Sequence, residues 1–409
     1  MGASSSCCGR RSRGSADREA GSERHLEEVW ACRRSANEKP IRQAACNRAK
    51  SMFQPARQDL SGLGNGGRVN VISLDATVLI CTFNRAAMLA ETLDTLAATR
   101  AATLRWNVIV VDNNSSDATR DVVTSRISRY PVELRYLFEP RQGKSHALNA
   151  GLAATDARIV VFTDDDVRLS DGWLAAACRP MLDNPTIDYT GGPVHPIWEQ
   201  PCPPWLDRTR SDLWGTLAIL DYGEEPFVFE ERRRVPLGAN MAVRRTLIDR
   251  IGGFDPGLGR RGTSLLGQEQ AEFFCRSRAA GARGLYVPAM TLHHHVPATR
   301  LTRSYFRRWW FWKGVSRSLL EQRHPVTELG VDLSQVARLT GIPRFMVCSA
   351  ARDAMRWAGA LLSWDRAGRV RHEMMLCYFV GYVRGVRTRA ADSPTSGNPF
   401  PSVFGTKNP

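Results

Sequence analysis

The sequence predicts an α/β fold on a mainly parallel sheet, followed by a helical C-terminal extension. Three observations predict it. Apolar runs recur from Ala76 onward and are too continuous for strands with one wet face. Stretches of helical period separate them, which demands crossover connections between parallel strands. The runs end in polar or acidic clusters, and open parallel sheets gather their sites at the carboxyl ends of strands.

The elements follow in order. "ATVLICTF" (76–83) is a buried strand, and "AMLAETLDTLAA" (87–98) sets Met88, Leu89, Leu93 and Leu96 on one helix face. "WNVIVVDNNSSD" (106–117) is a second strand running into a polar turn. Residues 118–128 are helical, with Ser116 or Asp117 as the cap. "VELRYLFE" (132–139) alternates as a third strand, and 145–154 form a helix. "RIVVFT" (158–163) is the fourth strand, followed by a helix over 172–182. "PVHPIWEQPCPPWL" (193–206) reads as an ordered Pro-rich, aromatic loop. Residues 235–255 read as a strand, a turn and a short helix, and "GQEQAEFFCRSRAAG" (267–281) as a helix with acids at its start. From Leu301 to about residue 389 the chain reads as helical. Residues 1–70 lack periodicity and are expected to be a basic, low-complexity, mostly disordered leader with a short helix near 20–34. The expected divisions are therefore 1–70, a catalytic body over 71–295, a basic aromatic extension over 296–390, and a frayed tail over 391–409.

Charge follows those divisions. The chain carries +15 overall, of which residues 1–70 hold +6, 71–295 hold −2 and 296–409 hold +11. A nucleic-acid-binding protein would place its positive field on the body itself, so the near-neutral middle counts against that class. The ten cysteines follow no metal or disulfide spacing and suit a reducing cytoplasm. No run of 18 apolar residues suggests a spanning helix. Met1-Gly2 with Ser6 matches a myristoylation pattern, but the Ser/Arg-rich surroundings favour chance.

"VVFTDDDV" places three carboxylates where a buried strand ends. Clustered acids are costly unless a cation offsets them, and a hard divalent ion such as Mg²⁺ or Mn²⁺ takes such ligands. In an extended run Asp164 and Asp166 point one way and Asp165 the other, so the D-x-D pair is Asp164 with Asp166. Asp112, ending the second strand, can accept from a base N–H or a ribose hydroxyl. Arg141 and Lys144, in "RQGKSHALNAG", open a helix where cations and the helix dipole favour phosphate. Each of these also reads alone as a solvated turn or a helix cap.

"LICTFNR", "VVDNNSSD", "RQGKSHALNAG" and "VVFTDDDV", in this order and spacing, resemble the family 2 glycosyltransferases, which have a GT-A fold, a Rossmann-like nucleotide-binding architecture. "PLGANMAVRR", "GQEQAEFFCR" and "HHHVPATRLTRSYFRRWWFWKG" extend the likeness, which spans roughly residues 76–314. The resemblance implies inverting transfer of a sugar from a nucleoside diphosphate donor to an acceptor hydroxyl, by a metal-dependent enzyme of the hexosyltransferase class using Mn or Mg. It implies that Thr82, Asn84 and Arg85 line the nucleotide pocket, with Arg141 and Lys144 toward phosphate. Asp112 would contact the base, Asp164 the ribose and metal, and Asp166 and His294 the metal. Gly238, Ala239, Asn240 and Trp205 would lie near the donor sugar or acceptor. The family often has Glu-Asp where this chain has Glu269-Gln270, and Gln has no useful proton affinity. Glu269 is therefore the expected base and Glu272 the reserve, although Glu272 can instead pair with Arg276 at i+4.

The segment 300–320 mixes Arg with Trp, Tyr and Phe. It reads as an interfacial helix on an anionic membrane, as a lid gripping diphosphate, or as a helix packing on the body. The reading is a cytoplasmic enzyme of cell-envelope or polysaccharide synthesis, with contact at the inner face of a membrane and a saccharide or lipid-linked acceptor as partners. The rivals are a nucleotidyltransferase, which would want glycines that "TFNRAAML" lacks, and a catalytically inactive nucleotide-binding relative.

Overall fold

A computed structural model describes residues 74–391, apart from 102, 207–210, 232–233, 263 and 328–331. The leader over 1–70, its short helix, and all of the tail beyond 391 lie outside the described residues. Strands β1 (Ala76–Thr82), β2 (Trp106–Asp112), β3 (Leu134–Phe138) and β4 (Ile159–Thr163) lie side by side in the order β3-β2-β1-β4, all parallel. Helices α1 (Ala86–Ala97), α2 (Thr119–Thr124) and α3 (Lys144–Ala153) make the crossovers.

Both faces of this half-sheet are covered, which is why its runs read as continuously apolar. Val78, Ile80, Val108, Val110 and Val161 pack with Leu89 and Leu93 of α1 and with Trp173 and Cys178 of α4 (Trp173–Asp183). The intervening Leu79, Ile109, Val111, Val160 and Phe162 face Leu148 and Leu152 of α3. On that second face they also meet α5 (Arg245–Ile251) and α6 (Glu269–Ala279) through Leu247 and Phe273.

Beyond β4 the sheet becomes mixed. β9 (Asn240–Arg244) runs antiparallel to both β4 and β6 (Tyr189–Gly191). β10 (Gly284–Tyr286) is parallel to β6, and β8 (Phe227–Val228) closes the edge. The full order is β3-β2-β1-β4-β9-β6-β10-β8. Four of its seven pairings are parallel, so the sheet is mostly parallel as expected. A second sheet sets β11 (Leu292–Val296) between β5 (Val167–Leu169) and β7 (Val194–Trp198). The loop expected over 193–206 thus begins as a strand. Strands of two or three residues such as β5, β6, β8 and β10 are too short to carry a legible period.

The extension holds α7 (Arg303–Arg323), α8 (Arg344–Leu362) and α9 (Arg366–Ala391). α7 and α9 touch backbone to backbone. A Cβ on Gly314 would lie 2.0 Å from the Tyr378 carbonyl oxygen, and one on Gly381 would lie 1.9 Å from that of Phe311. Phe306 and Trp310 of α7 are buried with Val370 and Met374 of α9, and Arg303 and Arg307 both bind Glu373. Much of the aromatic content of 300–320 is thereby used in packing, the third of the three readings. No described helix is long and apolar enough to cross a membrane.

Candidate active site

The carboxyl ends of β1 and β2 are in register, Thr82 opposite Asp112. Their exit loops are stapled together. Asn84 takes the left-handed region at φ 53°, which Asn tolerates. Its N–H donates to Ser115 Oγ at 2.9 Å, and its Oδ1 accepts from the Ser116 N–H at 2.8 Å. Asp112 is buried. Its Oδ1 accepts from the Ser115 N–H and its Oδ2 from the Tyr136 hydroxyl, both at 2.8 Å. Burial and that bond push the Tyr136 phenol up to about 12, so it serves as a donor. Each Asp112 oxygen keeps a lone pair for a ligand.

The three acids after β4 do not share one direction. The chain bends at 165–166, and each carboxylate finds its own partners. Asp164 Oδ1 accepts from Lys144 Nζ at 2.8 Å. Asp165 accepts from Thr82 Oγ1 at 2.7 Å and from Arg85 Nη1 at 2.9 Å. Asp166 Oδ2 accepts from the same Arg85 nitrogen at 2.6 Å. The acids divide their contacts: Asp164 pairs with Lys144 of α3, while Asp165 and Asp166 share the Arg85 guanidinium. Burial pushes Asp165 up to about 6 in spite of Arg85. Burial acts on Asp166 in the same sense, but His294, Arg85 and Arg300 outweigh it and hold its carboxyl well below the usual range.

β11 delivers His294. Burial alternates along the strand, with Leu292, His294 and Val296 inward. Pairing with β5 and the bond from His295 N–H to the Asp166 carbonyl, 2.8 Å, fix the register. His294 Nε2 then lies 3.3 Å from Asp166 Oδ1 and 3.4 Å from Arg300 Nη1.

Lys144 opens α3 after Gly143, whose φ of 144° favours glycine. Burial opposes its charge, but the carboxylates of Asp164 and Glu269 hold its pKa above the ordinary value. Glu269 opens α6 and packs against Gly259: a Cβ there would sit 2.9 Å from Ser145 Oγ and 3.5 Å from Glu269 Cδ. Gln270 Oε1 accepts from the Gly238 N–H at 2.7 Å and its amide reaches the Pro236 carbonyl, so Gln270 ties α6 to the 236–238 loop.

Several expected residues stand elsewhere. Arg141 turns back to Glu139, with Nε and Nη2 at 2.8 and 2.9 Å, rather than toward the acids. Asn240 is fully buried. Its Oδ1 accepts from Trp173 Nε1 at 2.8 Å, and its Nδ2 donates to the carbonyls of Pro193 and Met290 at 2.9 and 2.7 Å. That side chain belongs to the core, and Ala239 beside it is also buried. Trp205 meets Phe306 edge-on at 5.0 Å in the aromatic cluster beneath α7. Glu272 is clamped by Arg276, at 2.7 Å to each oxygen, and by His324 at 2.9 Å.

Residues beyond the expected Arg85 complete the site. A cleft of about 460 Å³ beside the acids is lined by Arg85, Arg260, Arg300, Thr302, Tyr305 and Arg308. Arg300, 9% exposed, reaches Asp166 Oδ2 at 3.6 Å. The signal was the Arg of "PATR" directly before a basic helix.

A divalent cation fits this donor set in one limited way. Among the described residues no three His, Cys, Asp or Glu side chains form a metal cage. Asp166 Oδ1 is, however, buried without a hydrogen-bond partner, and it converges with His294 Nε2. One carboxylate and one imidazole suit a hard ion that draws its other ligands from water and a phosphate group.

The sequence of the body matches the model described as "Glycosyl transferase family 2" over residues 77–252. That span takes in β1 to β4, β9 and the acids. Residues 77–252 carry a family 2 glycosyltransferase domain. A glucosyl-dolichyl phosphate glucuronosyltransferase of Haloferax volcanii is 24% identical to it over 255 residues, 62% of this chain and 79% of the relative. A validoxylamine A glucosyltransferase of Streptomyces hygroscopicus subsp. jinggangensis is 39% identical over 93 residues, 22% of each chain. Among solved structures, a mannosyltransferase from Pyrobaculum calidifontis, in complex with GDP-Man and Mn²⁺, superposes with a TM-score of 0.53 at 22% identity. That superposition covers 77% of this chain and 88% of that one, and at such identity it concerns the fold, which is GT-A-like. The matched span takes in the strand-end rim, and Arg300 before the extension reaches Asp166.

Proposed function

We propose that the chain is a metal-dependent, inverting glycosyltransferase that moves a hexose-type sugar from a nucleoside diphosphate donor to an acceptor hydroxyl in glycan synthesis. The observation that carries this reading is the convergence of Thr82, Arg85, Asp165, Asp166 and His294 at one rim, with Asp112 in register beside Thr82. The Pyrobaculum mannosyltransferase holds a nucleotide sugar and Mn²⁺, which supports the same chemistry here.

In this reading Asp112 and the stapled 84 and 115 loops receive the nucleoside. Lys144, Arg85 and Arg300 supply positive charge to the diphosphate, and Asp166 with His294 hold the cation. The bound cation supplies charge neutralisation for the leaving phosphate. Glu269 takes the proton of the acceptor hydroxyl. The freed oxygen forms its bond to the anomeric carbon from the face opposite the diphosphate. The carbon–oxygen bond to phosphate breaks, the nucleoside diphosphate leaves with that electron pair, and the centre inverts. The buried walls around Asp165 and Asp166 strengthen these interactions by excluding water.

The test is to incubate the full chain with a panel of sugar nucleotides and Mn²⁺ or Mg²⁺ and to assay free nucleoside diphosphate. Release with one donor that requires Glu269 supports the reading. Release of pyrophosphate from nucleoside triphosphates would instead favour a nucleotidyltransferase.

A further inference from the structure

α8 turns to solvent a face that a globular protein ordinarily buries. Cys348, Ala351, Met355, Ala358 and Leu362 recur every three or four residues, and all are exposed. Met355 is 67% and Leu362 86% exposed, and Trp364, just past the helix end, is 85% exposed. Trp364 sits at φ 58°, an unfavourable conformation for a bulky residue. The inner side carries the acid: Asp353 accepts from His372 Nδ1 at 2.8 Å, beside buried Met346 and Ala360.

Charge at this strip is mainly positive. Asp353 is the one acid of α8 and it is turned inward, and Asp365, just past the tip, accepts from the Gly368 N–H at 2.8 Å, while Arg344, Arg352 and Arg356 lie along the helix and Arg366 opens the next. The whole segment 296–409 carries +11. A helix of 19 residues is about 28 Å long and can lie flat with one face at headgroup depth. Arginines at its flank then meet anionic headgroups, and a Trp at its end suits the interfacial layer.

We infer that α8 and the 361–364 tip form a docking surface for an anionic lipid bilayer, entered in the plane of the interface and not across it. This surface is not the 300–320 helix, whose Phe306 and Trp310 are consumed in packing against α9. The inference stands on exposure and charge and does not depend on the proposed chemistry.

The full chain is sedimented with vesicles of phosphatidylcholine alone or mixed with phosphatidylglycerol, at low and high salt. The wild type should bind the phosphatidylglycerol vesicles, and less at high salt. The double substitution Met355→Glu with Leu362→Glu should lower that binding by more than about tenfold. Both positions are exposed, so the melting temperature should hold. Trp364→Ser adds no charge and should weaken binding about threefold or more. Absence of wild-type binding at low salt would overturn the inference. Equal binding by the double variant would do the same. So would a dimer that the double variant splits in sedimentation velocity while vesicles bind neither protein, because the face would then be a protein interface.

Discussion

Asp166 Oδ1 lies 3.3 Å from His294 Nε2, and neither meets the other by local sequence. β11 is slotted between β5 and β7, and that register alone carries the imidazole to the acids. His294→Gln keeps a polar side chain of similar length but removes the imidazole donor. Affinity for Mn²⁺ with a nucleoside diphosphate should fall about 10- to 100-fold by titration calorimetry. Unchanged affinity would remove His294 from the cation site.

Glu269 and Gln270 divide one motif between chemistry and scaffolding. Glu269→Gln should lower kcat about 10²- to 10⁴-fold while leaving donor-induced stabilisation in place. Gln270→Ala frees the Gly238 N–H and should act mainly on KM. If Glu269→Gln left kcat within threefold and Gln270→Ala abolished it, the assignment of the base would be wrong.

Glu272 is read here as a stabilising acid. Burial opposes its ionisation, but hydrogen bonds from His324 and Arg276 prevail and hold its pKa below the ordinary value. A depressed folded pKa gives stability that is present above the unfolded value, about 4.3, and is lost as pH falls through the folded one. Glu272→Gln should therefore cost about 2 kcal/mol near neutral pH, by urea unfolding. The difference should shrink below pH ~4. A difference that persisted in acid would mean that the carboxylate charge contributes nothing.

Asn240 spans the interior between Trp173, Pro193 and Met290. Asn240→Ala should destabilise the chain by about 2–4 kcal/mol, because the Trp173 indole N–H and the Met290 carbonyl lose the partner that Asn240 supplies, while the Pro193 carbonyl keeps the Leu292 N–H. Donor KM in the folded enzyme should stay within about twofold, measured with a thermal melt on the same sample. A normal melt with a large rise in KM would return Asn240 to the sugar site.

The parallel half of the sheet was legible because β1, β2 and β4 are buried on both faces and their runs are unbroken. The strand-end rim was legible for the same reason, since Thr82, Asp112 and Asp164 to Asp166 directly follow or close those runs. What the sequence could not show were consequences of long-range pairing. His294 is expected at the cation through the resemblance alone, because it and Arg300 arrive through β11, whose neighbours lie about a hundred residues upstream. Arg141, expected toward phosphate from its place before a helix, pairs instead with Glu139, two residues earlier. Asn240 is expected near the donor sugar through the resemblance alone, and the antiparallel insertion of β9 turns its amide into the core. The aromatic helix over 300–320 could not declare which face it buries, because Gly314 and Gly381 set its contact with α9.

The central claim is that Asp166 holds a divalent cation together with a donor diphosphate. Thermal melts of wild type and Asp166→Asn with nucleoside diphosphates, each with and without Mn²⁺, test it most directly. The account predicts that one nucleoside diphosphate raises the wild-type melting temperature by about 3–6 °C near a hundredfold excess over Kd, and only with Mn²⁺. It predicts no such metal-dependent rise in Asp166→Asn. A rise of equal size in both proteins, or one indifferent to Mn²⁺, would contradict it.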